Sequence, residues 1–218
     1  MHTLTEENYL KAIYRIYEST GDSVSTTAIA EKLQINAASV TDMFKKLGQQ
    51  KLVVYEKSRG VKPTDKGKKV ALQILRKHRL WETFMVEKLK FSWDEVHDVA
   101  EQLEHVHSDI LIERLDQLLG YPKFDPHGDP IPDKNGKLPA QASILLTQGK
   151  IGQTYRISGV SENSDAFLKY LNKIGLAPGS QVAIIEVEEF DGSMKLLIDN
   201  RKEIILSQQA AENLSVAT

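Results

Sequence analysis

His97, Glu101, Glu104 and His105 stand at i, i+4, i+7 and i+8, which at about 3.6 residues per turn is one stripe of a helix. His78 and Glu82 make a second i, i+4 pair upstream. Two side chains at that spacing can chelate one ion, and carboxylate oxygen with imidazole nitrogen suits Mn²⁺ or Fe²⁺ rather than Cu⁺. The chain has no cysteine, so disulfides and thiolate metal sites are excluded. His78, His97, His105, His107 and His127 are five of the six histidines, and all lie between positions 78 and 127. A polar helix face carrying incidental histidines accounts for any one of them, whereas two constellations together favour a metal site. His107 lies off the stripe and reads as a surface residue. Asp125 and His127, in Asp-Pro-His-Gly, either reach a metal from a loop or make an Asx turn.

A second chemistry is carried by Asn36, Ala37, Ala38, Ser39, Thr41, Asp42, Lys45 and Lys46. Small residues on the N-terminal half of a short helix permit close approach to a DNA major groove. There Ala methyls can meet thymine methyls, Asp42 can accept from a cytosine amino group, and the hydroxyls and lysines can hold phosphates. Arg59, at the tip of the hairpin turn Ser58-Arg59-Gly60, is placed for a phosphate or the minor groove. A helical pair used only for packing is the alternative, and the charge distribution weighs against it. Residues 1 to 80 hold 15 Lys and Arg against 8 Asp and Glu, a net of +7 that suits a polyanion. Residues 81 to 148 hold 6 against 13, a net of −7 that suits a divalent cation.

The elements that must position these groups follow from periodicity and punctuation. Residues 5 to 20 place Tyr9, Leu10, Ile13, Ile16 and Tyr17 at helical spacing before Gly21-Asp22 stops the run. A short helix over 26–33, a turn at 34–36 and a helix over 37–47 with Asn36 as N-cap follow. A β-rich run at 52–55 and an edge strand at 61–63 complete a winged helix-turn-helix order. Thr64-Asp65 caps a long helix reaching about Leu89. Ser92 and Glu95 form a capping box that predicts a helix to about Val106, and Ser108 opens another that ends at Gly120. Residues 121 to 148 contain five of the seven prolines and read as an extended linker. Beyond Gly149, short β-rich runs alternate with turns around one helix over 165–174, which fits a small β-barrel. The fold class is mainly α with small β. Expected domains are 1–75 for DNA binding, 76–140 for a helical metal-binding and dimerisation domain with a Pro-rich linker, and 149–218 for an SH3-like domain.

A chain of 218 residues, 41% hydrophobic and 27% charged, buries a real core but exceeds one domain of modal size. Disorder, collagen and coiled-coil rods are ruled out by that composition. No apolar run reaches the roughly 20 residues that a bilayer helix needs, and the first residues lack the order of a signal peptide, so a soluble cytoplasmic protein is expected.

Across essentially its whole length the chain resembles the diphtheria toxin repressor family of metal-dependent transcriptional repressors. The resemblance rests on TEENYLKAIY, AEKLQINAASVTDMFKKL, RKHRLWE, EVHDVAEQLEH, GYPKFDPHGDPIP and LNKIGLAPGS. The last of these is similar to the SH3-like domain of ferrous iron transport accessory proteins. The resemblance implies a homodimer in which metal aligns two winged helices on a palindromic operator and shuts off metal-uptake genes. It places the activating site on Asn8, Glu101, Glu104 and His105. Asn8 stands where family members usually carry Asp or Met, and Glu101 replaces the thiol or thioether of the iron-sensing branch. Hard oxygen there favours Mn²⁺, with Fe²⁺ second. An ancillary site is implied in one of two versions. One uses His78, Glu82 and His97; the other uses Glu82, Asp125, His127 and an acidic residue of the SH3-like domain, Asp165 or, as substitute, Glu162.

The sequence leaves two other readings open. Glu101-x-x-Glu104-His105 is one residue from the H-x-x-E-H zinc protease pattern, and Glu104-x-x-His107 echoes di-iron helical bundles. A DNA-binding protein indifferent to metal, its stripe making only structural polar contacts, is the second.

Overall fold

The computed structural model describes residues 2–140, 143–162 and 164–217, with only the backbone of Asp165. Contacts divide the chain into two compact units. The first comprises Met1–His78, Glu101–Glu113 and Pro132–Leu138, and the second Arg79–Ala100, Arg114–Ile131 and Pro139–Thr218.

In the first unit, α1 (Leu4–Thr20) begins at a capping box: Glu6 N donates to Thr3 Oγ1 at 3.3 Å and Thr3 N donates to Glu6 Oε2 at 2.8 Å. Gly21, in the left-handed region at φ 71°, ends it. Ser25 caps α2 (Thr26–Leu33), and Asn36 caps α3 (Ala37–Gln49) by accepting from Ser39 N at 2.8 Å. Helix α3 turns Val40, Phe44 and Leu47 into a core shared with Leu10, Ile13, Ile29 and Leu52, which leaves its opposite face to solvent. Strands β1 (Val53–Glu56) and β2 (Gly60–Pro63) pair antiparallel as the wing. Gly60 lies where an added Cβ would sit 2.1 Å from the Val24 carbonyl oxygen, so the wing packs at contact distance on the strand-like bridge Val24↔Val61. Thr64 then opens α4 (Asp65–Glu87) by accepting from Gly67 N at 3.1 Å.

The spacing that predicts a helix from Ser92 to Val106 is only partly realised. Ser92 N does donate to Glu95 Oε2 at 3.0 Å, but α5 covers only His97–Leu103. Glu104 and His105 fall in the turn that follows, where Val106 N reaches back to Leu103 O at 3.1 Å. Their side chains are bound to His78 and Glu7, and such tertiary bonds outweigh the weak local preference to continue the helix. Helix α6 (Asp109–Leu118) closes before Gly120, at φ 73°. The proline-rich stretch is not plain linker: Asp125 organises a tight loop closed by the bridge Phe124↔Pro130, and Asp133 organises a second turn.

The second unit is dominated by a six-stranded antiparallel sheet in the order β3-β8-β4-β5-β6-β7. Its strands are β3 (Ile144–Leu145), β4 (Thr154–Val160), β5 (Gln181–Val187), β6 (Met194–Ile198), β7 (Lys202–Leu206) and β8 (Leu214–Ala217). A short 3-10 helix (Leu146–Gln148), α7 (Asp165–Ile174) and α8 (Gln208–Ala211) complete it. Alternation sets the inner face, as with Met194, Leu196 and Ile198 on β6 and Val182 and Ile184 on β5. Leu168 and Leu171 of α7 fill the same core. Among the described residues no helix is long and apolar enough to cross a membrane.

Candidate metal centre

Helix α1 presents Glu7, Asn8 and Lys11 on adjoining positions of one face, and within the first unit Glu7 and Lys11 meet His105, Glu101 and Glu104. His105 Nδ1 lies 2.6 Å from Glu7 Oε2, and His105 Nε2 lies 3.6 Å from Glu104 Oε1. Glu104 is completely buried. One of its oxygens faces His78 Nδ1 at 2.7 Å, and the other accepts from Lys11 Nζ at 2.5 Å. The same ammonium donates to Glu101 Oε1 at 2.6 Å. Asn8 Oδ1 is buried with no hydrogen-bond partner among the described residues, an acceptor that a bound ion would satisfy. Oxygen and imidazole donors converge here, so the residues fit a divalent ion once the Lys11 ammonium gives way. Glu7 and His107, 3.8 Å apart, also line a cavity of about 620 Å³. Lys77 lines it too; burial pushes its ammonium below the usual lysine range, against the pull of Glu7, Glu104 and Asp109.

A second cluster is built within the second unit from Glu82 of α4 and the loop carrying Asp125 and His127. All three are buried, and their ligand atoms lie within 4.8 Å of one another. His127 Nε2 lies 2.8 Å from the Trp93 carbonyl oxygen. A carbonyl can only accept, so this nitrogen carries a proton and Nδ1 is the one turned to Glu82 Oε2, at 3.6 Å. Burial would lower the imidazole pKa, but the Glu82 and Asp125 charges and the Trp93 carbonyl raise it. Burial, with the charges of Glu82 and Asp129, pushes the Asp125 carboxyl up to about 7, against the pull of His127 and Arg79. Arg79 stands 3.6 Å from Asp125 Oδ2 and 3.0 Å from Asp129 Oδ2. Asp125 also makes the Asx turn, its Oδ1 accepting from His127 N and Asp129 N at 2.8 and 2.9 Å. The loop is anchored to β4, for His127 O accepts from Val160 N at 2.9 Å, and a Cβ on Gly128 would sit 1.9 Å from Ser158 O.

The i, i+4 pair on α4 therefore divides its work: His78 turns to Glu104, and Glu82 turns to His127 and to His97, 3.4 Å away. Glu162 Oε1 accepts from Ser164 N at 2.8 Å. The Asp165 side chain lies outside the described residues, although its backbone begins α7. Sequence reasoning passed over Lys11 and Glu7, which sit in TEENYLKAIY as ordinary charges of an amphipathic helix. It also passed over Arg79 and the Trp93 carbonyl, for which no local spacing gives a signal.

On the exposed face of α3, Asn36, Ala37, Ala38, Ser39, Asp42, Lys45 and Lys46 are open to solvent, with Thr41 half-buried. Thr41 Oγ1 donates to Ala37 O. Asp42 is paired with Lys45 at 3.0 Å, Lys46 reaches Glu6 at 3.2 Å, and Arg59 on the wing lies 3.7 Å from Glu56. Against its burial, bonds from Thr3, Gln50 and Lys46 draw the Glu6 carboxyl down to about 2.

Three families match along the chain. Residues 1–61 match the iron dependent repressor N-terminal DNA binding domain, residues 64–133 the iron dependent repressor metal binding and dimerisation domain, and residues 144–218 the FeoA domain. The iron-dependent repressor IdeR of Mycobacterium leprae is 34% identical over 225 residues, covering 97% of this chain and 96% of that protein. The diphtheria toxin repressor of Corynebacterium diphtheriae is 29% identical, with 97% and 96% covered. Among solved structures, a manganese-dependent transcriptional repressor in complex with manganese superposes with a TM-score of 0.87 at 37% identity, covering 97% of this chain and 99% of that one. ScaR with bound Zn²⁺ superposes with a TM-score of 0.77 at 36% identity, covering 98% and 99%. With its winged helix, its two carboxylate and imidazole clusters and its SH3-like sheet, the chain belongs to the iron-dependent, or diphtheria toxin, repressor family of metal-dependent transcriptional repressors.

Proposed function

We propose that this chain is a cytoplasmic, manganese-activated repressor, with Fe²⁺ as second activator, that acts as a homodimer on a palindromic operator controlling metal-uptake genes. The observation that carries the reading is that α1 of the winged-helix part supplies Glu7 and Lys11 to the side-chain group that contains Glu101, Glu104 and His105. Asn8 Oδ1, Glu101, Glu104 and His105 would hold the activating ion. Glu82, Asp125 and His127 would hold the ancillary one, with Glu162 or Asp165 as the further carboxylate. The hard oxygen donors and the lack of cysteine support Mn²⁺ over softer metals.

When bound, the ion supplies positive charge to buried carboxylates and prefers the conformation in which they converge, so its binding energy is linked to operator affinity. The chain's own residues do the rest. Glu7 fixes the His105 ring through Nδ1 and leaves Nε2 as the nitrogen turned to Glu104. Trp93 does the same for His127. The exposed N-terminal half of α3 is shaped for the major groove, and Lys45, Lys46 and Arg59 exchange their carboxylate partners for phosphates. Two such helices enter grooves one helical turn or a multiple of it apart. The hydrolase and di-iron readings are set aside, because the family is one of repressors and not of enzymes. Titrating the region upstream of its own and neighbouring transport genes with Mn²⁺, Fe²⁺, Zn²⁺ and chelator tests the proposal. Operator affinity that rises most with Mn²⁺ supports it, and equal affinity in chelator overturns it in favour of the metal-indifferent reading.

A further inference from the structure

We propose that Lys11 is a tethered cation resident in the first cluster, so that a divalent ion binds there by exchange for its ammonium and not by entry into a vacant site. The inference rests on the metal-site reading of Asn8, Glu101, Glu104 and His105. The Lys11 side chain is 8% exposed, and its Nζ stands 2.6 Å from Glu101 Oε1 and 2.5 Å from Glu104 Oε1. A hard divalent ion takes carboxylate oxygens at about 2.0–2.6 Å, so the ammonium already occupies the lone pairs such an ion would use. Glu104 is the most deeply buried charge of the group, and a buried carboxylate stripped of its partner is strongly disfavoured. Lys11 answers that need in the metal-free chain and ties α1 to the 101–105 segment before any ion arrives.

Two consequences follow from charge alone. With Lys11 in place the pair Glu101 and Glu104 offers an incoming ion a net of one negative charge, not two, so affinity at this cluster is held down. The threshold for activation is then set by competition with an internal cation, and Asn8 Oδ1, without a partner among the described residues, is a further oxygen for the incoming ion.

The test compares Mn²⁺ binding to the full-length chain with Lys11→Met and Lys11→Arg, each with and without Glu104→Ala to assign the ion to this cluster. Lys11→Met should bind Mn²⁺ at the Glu104-dependent site at least tenfold more tightly and melt at lower temperature without metal, while Lys11→Arg stays near the parent affinity. Equal Glu104-dependent affinity in parent and Lys11→Met overturns the exchange but leaves the metal site standing. No effect of Glu104→Ala in any background sinks the metal-site reading itself. Should Lys11→Met fold poorly, the lysine ammonium ¹⁵N resonances of the unsubstituted chain decide. A protected Lys11 signal without metal that disappears on saturation with diamagnetic Cd²⁺ supports exchange, and its persistence at full loading overturns it.

Discussion

The two carboxylate and imidazole clusters are made from the same residue types yet are kept in order by opposite means. The first neutralises the buried Glu104 and the half-buried Glu101 with a cation of the chain itself, Lys11, between them. In the second, Arg79 stands off at 3.6 Å from Asp125, and the carboxyl is pushed up to about 7 instead. A buried acid can be satisfied by a lysine or by keeping its own proton, and the two solutions put different competitors in front of a metal. On the exchange proposed above, an ion at the first cluster would displace the ammonium. At the second it would meet a carboxyl pushed up to about 7, with its neighbours already oriented by the Asx turn and by Trp93.

The largest effect is expected at the first cluster. Glu104→Ala should lower metal-stimulated operator affinity by about a hundredfold or more, the loss of an ion-linked preference of roughly 3 kcal/mol, while the dimer persists in sedimentation. An unchanged stimulation by Mn²⁺ would break the distinction between the clusters. At the second, His127→Ala should remove one Mn²⁺ per chain and weaken activation by about tenfold, within the range that follows loss of a ligand or its support. Calorimetric stoichiometry checks it, and a loss as large as that of Glu104→Ala would reverse the ranking of the two sites.

Gly128→Ala sharpens the comparison further. Its Cβ would overlap the Ser158 carbonyl oxygen, and Gly128 sits at φ 86°. A cost of about 2–3 kcal/mol is expected, from strain at a special backbone position, with displacement of the Asp125 loop and loss of the second ion only. Thermal melts with Mn²⁺ counting will show whether the first cluster keeps its ion. The smallest effect is that of Asn8→Asp. An added carboxylate beside Lys11 should raise Mn²⁺ affinity of the first cluster by roughly tenfold, about 1.4 kcal/mol, and an unchanged affinity would place Asn8 outside the site.

The winged helix was readable because its signals are local: the cap at Asn36, the stop at Gly21 and the apolar spacing of Leu10, Ile13, Phe44 and Leu47 each act within a few residues. The strands of the last module were readable for the same reason, since alternation is a short-range pattern. The stripe of His97, Glu101, Glu104 and His105 was seen as a set but on the wrong backbone. Helix α5 ends at Leu103, and bonds to Glu7 and His78, far off in sequence, decide where the next two side chains point. Spacing also suggested that His78 and Glu82 act together, whereas each is claimed by a different carboxylate or imidazole. Lys11 could not be recognised from spacing at all, because its partners are 90 and 93 residues away.

The bond from Val160 N to the carbonyl of His127 turns one amide proton of the sheet into a clock. Its exchange with deuterated solvent reports on the moments at which the loop lifts from β4. An ion gripped by the His127 side chain would slow that clock without touching Val160. The neighbouring amide of Ile157, bonded instead to Ser180 O, would keep its own time. The difference between the two rates then measures occupancy of the second cluster from a strand that contributes no ligand to it.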